Sequence, residues 1–392
     1  MFSELDLPWC FSGEHLEWQK IVRDFCERVV APGAARRDLD GYFDPDIVSN
    51  LGQLGAFGVR LPEAYGGSGA DLRTVCITAE ELASVDSSLA TTVHVQAFAA
   101  GLFHHLADEN LRDEYLPAMA SGQEFCAFGL TEPTGGSDAG NISTQVKRDG
   151  SDWVINGAKE FITNSGTPFS RHVIVFATHA DADVAADSRT PISAFFVPLD
   201  APGVTVGPQY AKLGWRSSDT HPLHFDNVRI PAGHLLGREG SGYREALAFL
   251  RCARIPIAAM SAGLARGCVQ ATLEFVASRT SFGRPLGDHQ AVAFAIADLS
   301  AMADTARLLA YDAAWRFDNG QPIDRATAVA KLMASELANK AAYQASQLHG
   351  GYGFMDDSDV ARHFRDARVL TVGEGTSEVQ RMLIARGLGL RG

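Results

Sequence analysis

No CxxC pair, no run of Lys and Arg, no leader-like start and no long apolar stretch occur in this chain of 392 residues. Each absence excludes something. The six cysteines (Cys10, Cys26, Cys76, Cys126, Cys252, Cys268) are scattered, mostly in apolar runs, so they read as small buried hydrophobes rather than a disulfide framework or a zinc site. A nucleic-acid binder normally carries a basic patch, whereas the formal net charge here is -13, so nucleic acid is not an expected partner. An acidic whole still permits local basic pockets for phosphates, because the field at a site is set by nearby groups. The start, MFSELDLPWC, is acidic and lacks the basic-plus-apolar pattern of a leader. No apolar stretch approaches the roughly 20 residues that span a bilayer. No membrane span is expected, and the chain reads as cytoplasmic.

What is present is ordinary globular composition, 46% hydrophobic and 21% charged, long enough for a sizeable core. Its texture divides in three. Residues 1–123 are helical in character: Trp18, Ile21, Val22, Phe25 and Val29 recur at three- and four-residue steps, a helix face that Pro32 is expected to end. Asp44-Pro45 supplies an N-cap and a first-turn proline for a second helix, and helices follow at about 73–85, 88–105 and 108–120. Residues 124–236 turn to short strands. Asp149-Gly150 and Asn156-Gly157 read as hairpin turns flanked by Ile142–Val146, Trp153–Ile155 and Phe161–Thr163. His172–Thr178 and Ile192–Leu199 are further strands around a polar loop at Ala180–Thr190. Residues 237–392 return to long helical blocks punctuated by Gly and Pro at 283–287, 319–322 and 350–353. This order disfavours βαβ units and parallel sheets. The glycine clusters Gly66, Gly67, Gly69 and Gly350, Gly351, Gly353 follow no convincing strand, so neither is a dinucleotide fingerprint.

Four segments carry possible chemistry. Phe128–Asp138 joins a short strand to a Pro- and Gly-rich turn that would offer N–H groups and hydroxyls to a flat heterocycle, or is simply a surface turn. In Lys159–Asn164, Phe161 and Thr163 would point the same way on a strand and could pack and bond a ring system, or be an ordinary core-and-surface pair. Arg279–Gln290, between helices, places Arg near Gly and Pro, suiting a phosphate or a helix C-terminus. Val372–Glu378 holds Glu374 between two glycines, open to close approach by a ligand, or merely solvated.

Order and spacing decide among these readings. LTEPTGGSD (130–138), KEFITNSG (159–166), KLGWRSSDT (212–220), FDNVRIP (225–231), RTSFGRPLGDHQ (279–290), QLHGGYGF (347–354), RDARV (365–369) and GEGTSEVQR (373–381) together resemble the acyl-CoA dehydrogenase family over nearly the whole chain. The resemblance implies an N-terminal all-α domain, a middle antiparallel β-barrel-like domain and a C-terminal four-helix bundle. It implies FAD, with Phe128, Leu130, Thr131, Gly136 and Ser137 along the flavin, Phe161 in the place of a Trp common in relatives, and Thr163 supplying a hydroxyl. Arg279, Ser281, Phe282, Leu286, His289 and Gln290, with Gln347, Gly350 and Gly351, would hold the ADP portion of a neighbouring subunit's FAD. A dimer of dimers follows. Thr376 and Glu378 would face the cofactor, and Ser137, Arg251, Arg254, Gly373 and Gly375 the substrate.

In such enzymes a Glu takes the α-proton of an acyl-CoA as the β-hydride moves to flavin N5, and electron-transferring flavoprotein is the usual acceptor. The resemblance implies Glu374 as that base; the alternative position used by some relatives, one residue before Arg254, is Ala253. Two departures bear on substrate. Gly373 replaces a frequent Tyr and opens the acyl pocket, and Arg251 replaces a non-basic polar residue near the CoA arm, suggesting a phosphate contact or a carrier-protein thioester. An oxidase using O2 is a further alternative, and a non-catalytic flavin- or acyl-binding scaffold is another, against which the intact Glu374 and cofactor motifs argue.

Overall fold

The computed structural model describes residues 7–180 and 191–390. The N-terminal helices are α1 (Gly13–Phe25), α2 (Ala34–Asp40), α3 (Pro45–Leu54), α4 (Leu72–Val85), α5 (Ser87–Leu106) and α6 (Glu109–Ala120). Their starts are written in short acidic residues. Asp44, Asp71, Asp86 and Asp108 each cap the helix that follows, accepting from first-turn N–H groups. Pro32 does not end the first helical path as expected. After a π turn at Cys26–Val30, it sits in the first turn of a 3-10 segment, where its missing N–H leaves no bond unmade, and the path runs on to Gly41 at φ 60°. Val22 is buried, but Ile21 is 42% exposed and lies off the face that Trp18, Val22, Phe25 and Val29 share.

The middle region holds β1 (Phe125–Gly129), β2 (Gln145–Asp149), β3 (Asp152–Thr163), β4 (Ser170–His179), β5 (Ile192–Pro198), β6 (Val204–Val206), β7 (Thr220–Ile230) and β8 (Leu235–Leu236). The sheet runs β6-β7-β3-β2-β4-β5-β8, with β1 also on β4, an open path among the described residues rather than a barrel. Two expectations fail here. First, β1 lies parallel to β4, and β2 pairs with β4 in parallel over two residues, so the sheet is mixed. Residues 130–169 form a crossover long enough for parallel pairing, but it is built of strands and turns, not a helix. Second, Asn156-Gly157 is not a hairpin. One strand, β3, runs straight through it with a register shift, and Gly157 (φ 148°) is there because a Cβ would lie 2.6 Å from Thr144 Oγ1. The hairpin at Asp149-Gly150 does form, joining β2 to β3 with Gly150 at φ 64°. The polar loop expected at Ala180–Thr190 lies almost wholly outside the described residues.

The C-terminal region consists of α7 (Gly242–Ser278), a small hairpin β9 (Thr280–Ser281) and β10 (Arg284–Pro285), then α8 (Gln290–Asp318), α9 (Asp324–His349), α10 (Asp359–Leu370) and α11 (Ser377–Gly387). Helix α7 packs against α4, α8 and α9. It is long and apolar enough by composition to cross a membrane, yet 72% of its most apolar window is buried inside the molecule, so its apolar surface is used by the core. One buried cluster includes residues from α1, α3, α4, α5, α7, α9 and α10, which ties the two helical regions together.

Candidate active site

Helix α10 ends at Leu370, and a short loop leads to α11, whose N-cap is Thr376, accepting from Val379 N at 3.3 Å. The loop is held through its carbonyls. Arg254 Nε, from buried α7, donates to Glu374 O at 3.2 Å. Lys331 Nζ, from α9, donates to Gly375 O at 2.7 Å, and Gln380 Nε2 donates to the same oxygen at 3.0 Å. Glu374 itself has φ 55°, a left-handed conformation that costs a non-glycine residue about 1–2 kcal/mol. Gly375 follows at φ 88°, where a Cβ would crowd Gln380 Nε2 at 2.9 Å. Three anchors therefore fix an unfavourable backbone, and that pattern marks functional loops.

The backbone is tied, but the side chain is not. Glu374 Oε2 is shut off from solvent and has no hydrogen-bond partner among the described residues. Burial raises its carboxyl above the ordinary value, and Arg254 and then Lys331 pull it back only in part. Lys331 is itself pushed down by burial to about 8, so it stays cationic at neutral pH. Nor does the Glu374 N–H donate to any group among the described residues. A carboxylate poised by burial next to a free N–H can take a proton from a carbon acid while the N–H stabilises the oxyanion that forms. Lys331 was missed in the sequence. Its only signal is a lone cation among small apolar residues of α9. Ala253, at the alternative base position, is buried and has no group to titrate.

Around the loop, Gly373 N bonds Val369 O at 2.8 Å, and nothing lies nearer than 3.6 Å to where a side chain would begin. Glu378 points to solvent and pairs weakly with Arg381 at 3.4 Å. The exposed Arg251 bonds Asp324 at 3.0 Å, so its charge is already partnered.

On the sheet side, the 130–138 segment is pinned from below. Lys159 Nζ, fully buried on β3, bonds Glu132 Oε1 at 2.6 Å, while Ser143 and Thr144 donate to the same carboxylate. Burial raises the Glu132 carboxyl, but Lys159 and these donors outweigh it and hold it at about 2; Lys159, pushed down by burial to about 8, remains charged. Both residues lie in the 130–138 and 159–166 motifs, and nothing local in the sequence marks them as a pair. The Leu130 side chain is buried in the core, and its carbonyl accepts from Lys159 Nζ at 3.4 Å. Phe128 packs between Phe98 and Phe176, and Gly136 lies near Thr131, 3.7 Å from its Cγ2 to a would-be Cβ. Thr131 O accepts from Glu160 N at 2.9 Å, which brings the turn beside Phe161. The alternation argument for Phe161 and Thr163 does not hold, because a bulge between Lys159 and Ile162 breaks it and Phe161 has φ 60°. The bulge leaves Phe161 65% exposed, its ring 5.4 Å from Tyr210.

Arg279, Ser281, Leu286, Gln347, Gly350 and Gly351 do meet, in a groove of about 500 Å³ between the end of α7 and the end of α9. His289 Nε2 lies 3.0 Å from Ser281 O and its ring 6.1 Å from Phe282, while Gln290 opens α8. Nothing lies within 4 Å of where side chains on Gly350 and Gly351 would begin.

Comparison with known proteins agrees along the chain. "Acyl-CoA dehydrogenase, N-terminal domain" matches residues 12–123, the middle domain 127–228 and the C-terminal domain 240–389. A probable acyl-CoA dehydrogenase, YngJ of Bacillus subtilis, is 38% identical over 371 residues, 94% of this chain and 96% of its own length. Butyryl-CoA dehydrogenase from Megasphaera elsdenii superposes with a TM-score of 0.92 at 33% identity, covering 98% of this chain and all of the other. A glutaryl-CoA dehydrogenase from Mycobacterium smegmatis, solved with FADH2, gives 0.91 at 28% identity, covering 98% and 96%. This chain belongs to the acyl-CoA dehydrogenase family of FAD-dependent oxidoreductases.

Proposed function

We propose that Glu374 removes the α-proton of an acyl-CoA thioester, which leaves as the trans-2-enoyl thioester. The observation that carries this reading is the buried, unpartnered Oε2 of Glu374 on a loop fixed by Arg254, Lys331 and Gln380. A thioester α-proton is too weakly acidic for an ordinary carboxylate, so base strength must come from burial and from stabilising the enolate. The free Glu374 N–H supports the second role by donating to the thioester oxygen. Gly373 leaves the wall beside the base open, which supports an acyl group wider than a straight chain.

Bound FAD supplies the acceptor for the β-hydride. The residues present fit it. The turn pinned by Glu132 and Lys159 and the exposed Phe161 offer hydroxyls, N–H groups and a ring face on the sheet side. The groove at Arg279 with its two open glycines suits a pyrophosphate-bearing end. Phe282, 97% exposed on its hairpin, supports coverage of that groove by a second copy of the chain, as in a dimer of dimers. Pairing of Arg251 with Asp324 gives its charge a partner within the chain, which supports a CoA thioester over a carrier-bound one.

Anaerobic titration of the FAD-loaded protein with acyl-CoAs of varied length and branching tests the function. At least one should bleach the flavin, and a panel that leaves it yellow would reject the reading. Admitting either electron-transferring flavoprotein or O2 afterwards identifies the acceptor; the former is the one we assign.

A further inference from the structure

Helices α5 and α7 pack against each other in a register fixed by three contacts. Phe98 lies 5.3 Å from Phe249, a Cβ on Gly101 would lie 3.0 Å from Phe249, and His105 lies 3.6 Å from Glu245. As numbering rises on α5 it falls on α7, so the helices run antiparallel here. One turn before Phe98 is His94, which is therefore level with the turn after Phe249, at Cys252–Arg254. Arg254 is the residue that reaches Glu374 O. His94 thus stands level with the α7 turn whose Arg254 holds the Glu374 backbone.

His94 is only 5% exposed, yet its Nε2 has no hydrogen-bond partner, and its ring makes no hydrogen bond among the described residues. The buried His349, by contrast, bonds Ala345 O at 2.8 Å. Buried polar atoms are normally paired, and leaving one unpaired costs about 1–3 kcal/mol. Phe98 lies 6.3 Å away in a stacked arrangement and in turn contacts Phe128 at 4.9 Å. Burial moves the imidazole down to about 4, so at neutral pH it offers one donor and one acceptor and no charge. Such a group suits a neutral oxygen, and it gives a carboxylate no counter-charge.

We propose that His94 is a specificity-determining residue whose imidazole hydrogen-bonds a neutral oxygen on the acyl chain. The substrate is then a hydroxyl-, oxo- or amide-bearing acyl thioester rather than a plain alkyl one. This rests on the acyl-thioester reading of the site.

The test uses FAD-loaded enzyme and matched acyl-CoA pairs of equal length, alkyl against hydroxy or oxo, with the oxygen moved from C4 outward. Anaerobic flavin reduction gives kcat/KM for each. The wild type should favour one oxygenated chain. The ratio of oxygenated to alkyl kcat/KM should fall about 10- to 100-fold in His94→Leu, the worth of one hydrogen bond to a buried partner, and recover in His94→Asn. A wild type that shows no preference at any oxygen position overturns the proposal without any variant. So does a ratio unchanged in His94→Leu, which would mean that the nitrogen merely holds water. If no thioester reduces the flavin, the function proposed above falls, and this inference with it.

Discussion

Glu132 and Glu374 are both buried carboxylates in motifs of the same family pattern, and their surroundings are opposite. Glu132 accepts from Lys159, from the Ser143 N–H and hydroxyl and from the Thr144 N–H, and is held at about 2. Glu374 has its backbone carbonyl bonded, its Oε2 bare, and its pKa raised by burial. Hydrogen bonds to a carboxylate favour the charged form and make it a poor base; burial without them does the reverse. The middle region thus holds a satisfied glutamate that fixes the 130–138 turn, and the C-terminal loop holds an unsatisfied one, the group we propose for proton transfer.

Exchanging each for glutamine should separate the roles. Glu374→Gln should keep FAD and the fold yet slow anaerobic flavin reduction by about 10⁴-fold, near the upper range for loss of a positioned base. Glu132→Gln should do the opposite. It strands the Lys159 cation in the core, lowering stability by about 3–5 kcal/mol in denaturant unfolding, while the protein that remains folded still reduces its flavin. If Glu132→Gln lost only activity, the contrast would collapse.

Smaller effects sharpen it. Because Lys331 lowers the pKa of Glu374, Lys331→Met should move the rising limb of the pH–rate profile to higher pH, since the base works only when ionised. A limb that stayed put would remove Lys331 from the site. A third buried carboxylate offers a control away from the chemistry. Asp366 on α10 accepts from Trp215 N at 2.6 Å, and burial raises it from 3.8 to about 7. A folded-state pKa above the unfolded value means the native state binds the extra proton, so this group's contribution falls as pH rises from about 4 to 7. Asp366→Asn should flatten that part of the stability profile, read as Tm against pH; an unaltered slope would count against the buried-acid assignment.

The helices were legible because caps and periodicity are local: Asp44 marks one start, and the helices expected from 88 and 108 begin within two residues of those positions. The errors came where distant chain decides. Asn156-Gly157 looks like a turn locally, but its glycine answers to Thr144 from another segment. Pro32 looked like a stop because the π turn before it leaves no sequence trace. Parallel pairing of β1 with β4 depends on a crossover that no local pattern announces. At the site, Glu374 was readable only through the order of motifs. Lys331 and the Glu132–Lys159 pair were not, since a lone Lys in a strand or helix has the same local signature on a surface as in a core.

The central claim concerns the proton, and exchange of the substrate's α-hydrogen reads that step apart from hydride transfer. An acyl-CoA analogue that cannot lose its β-hydride, incubated in D2O with FAD-loaded enzyme, should gain α-deuterium with the wild type and none above background with Glu374→Gln. Exchange at the wild-type rate in the variant would mean that another group is the base.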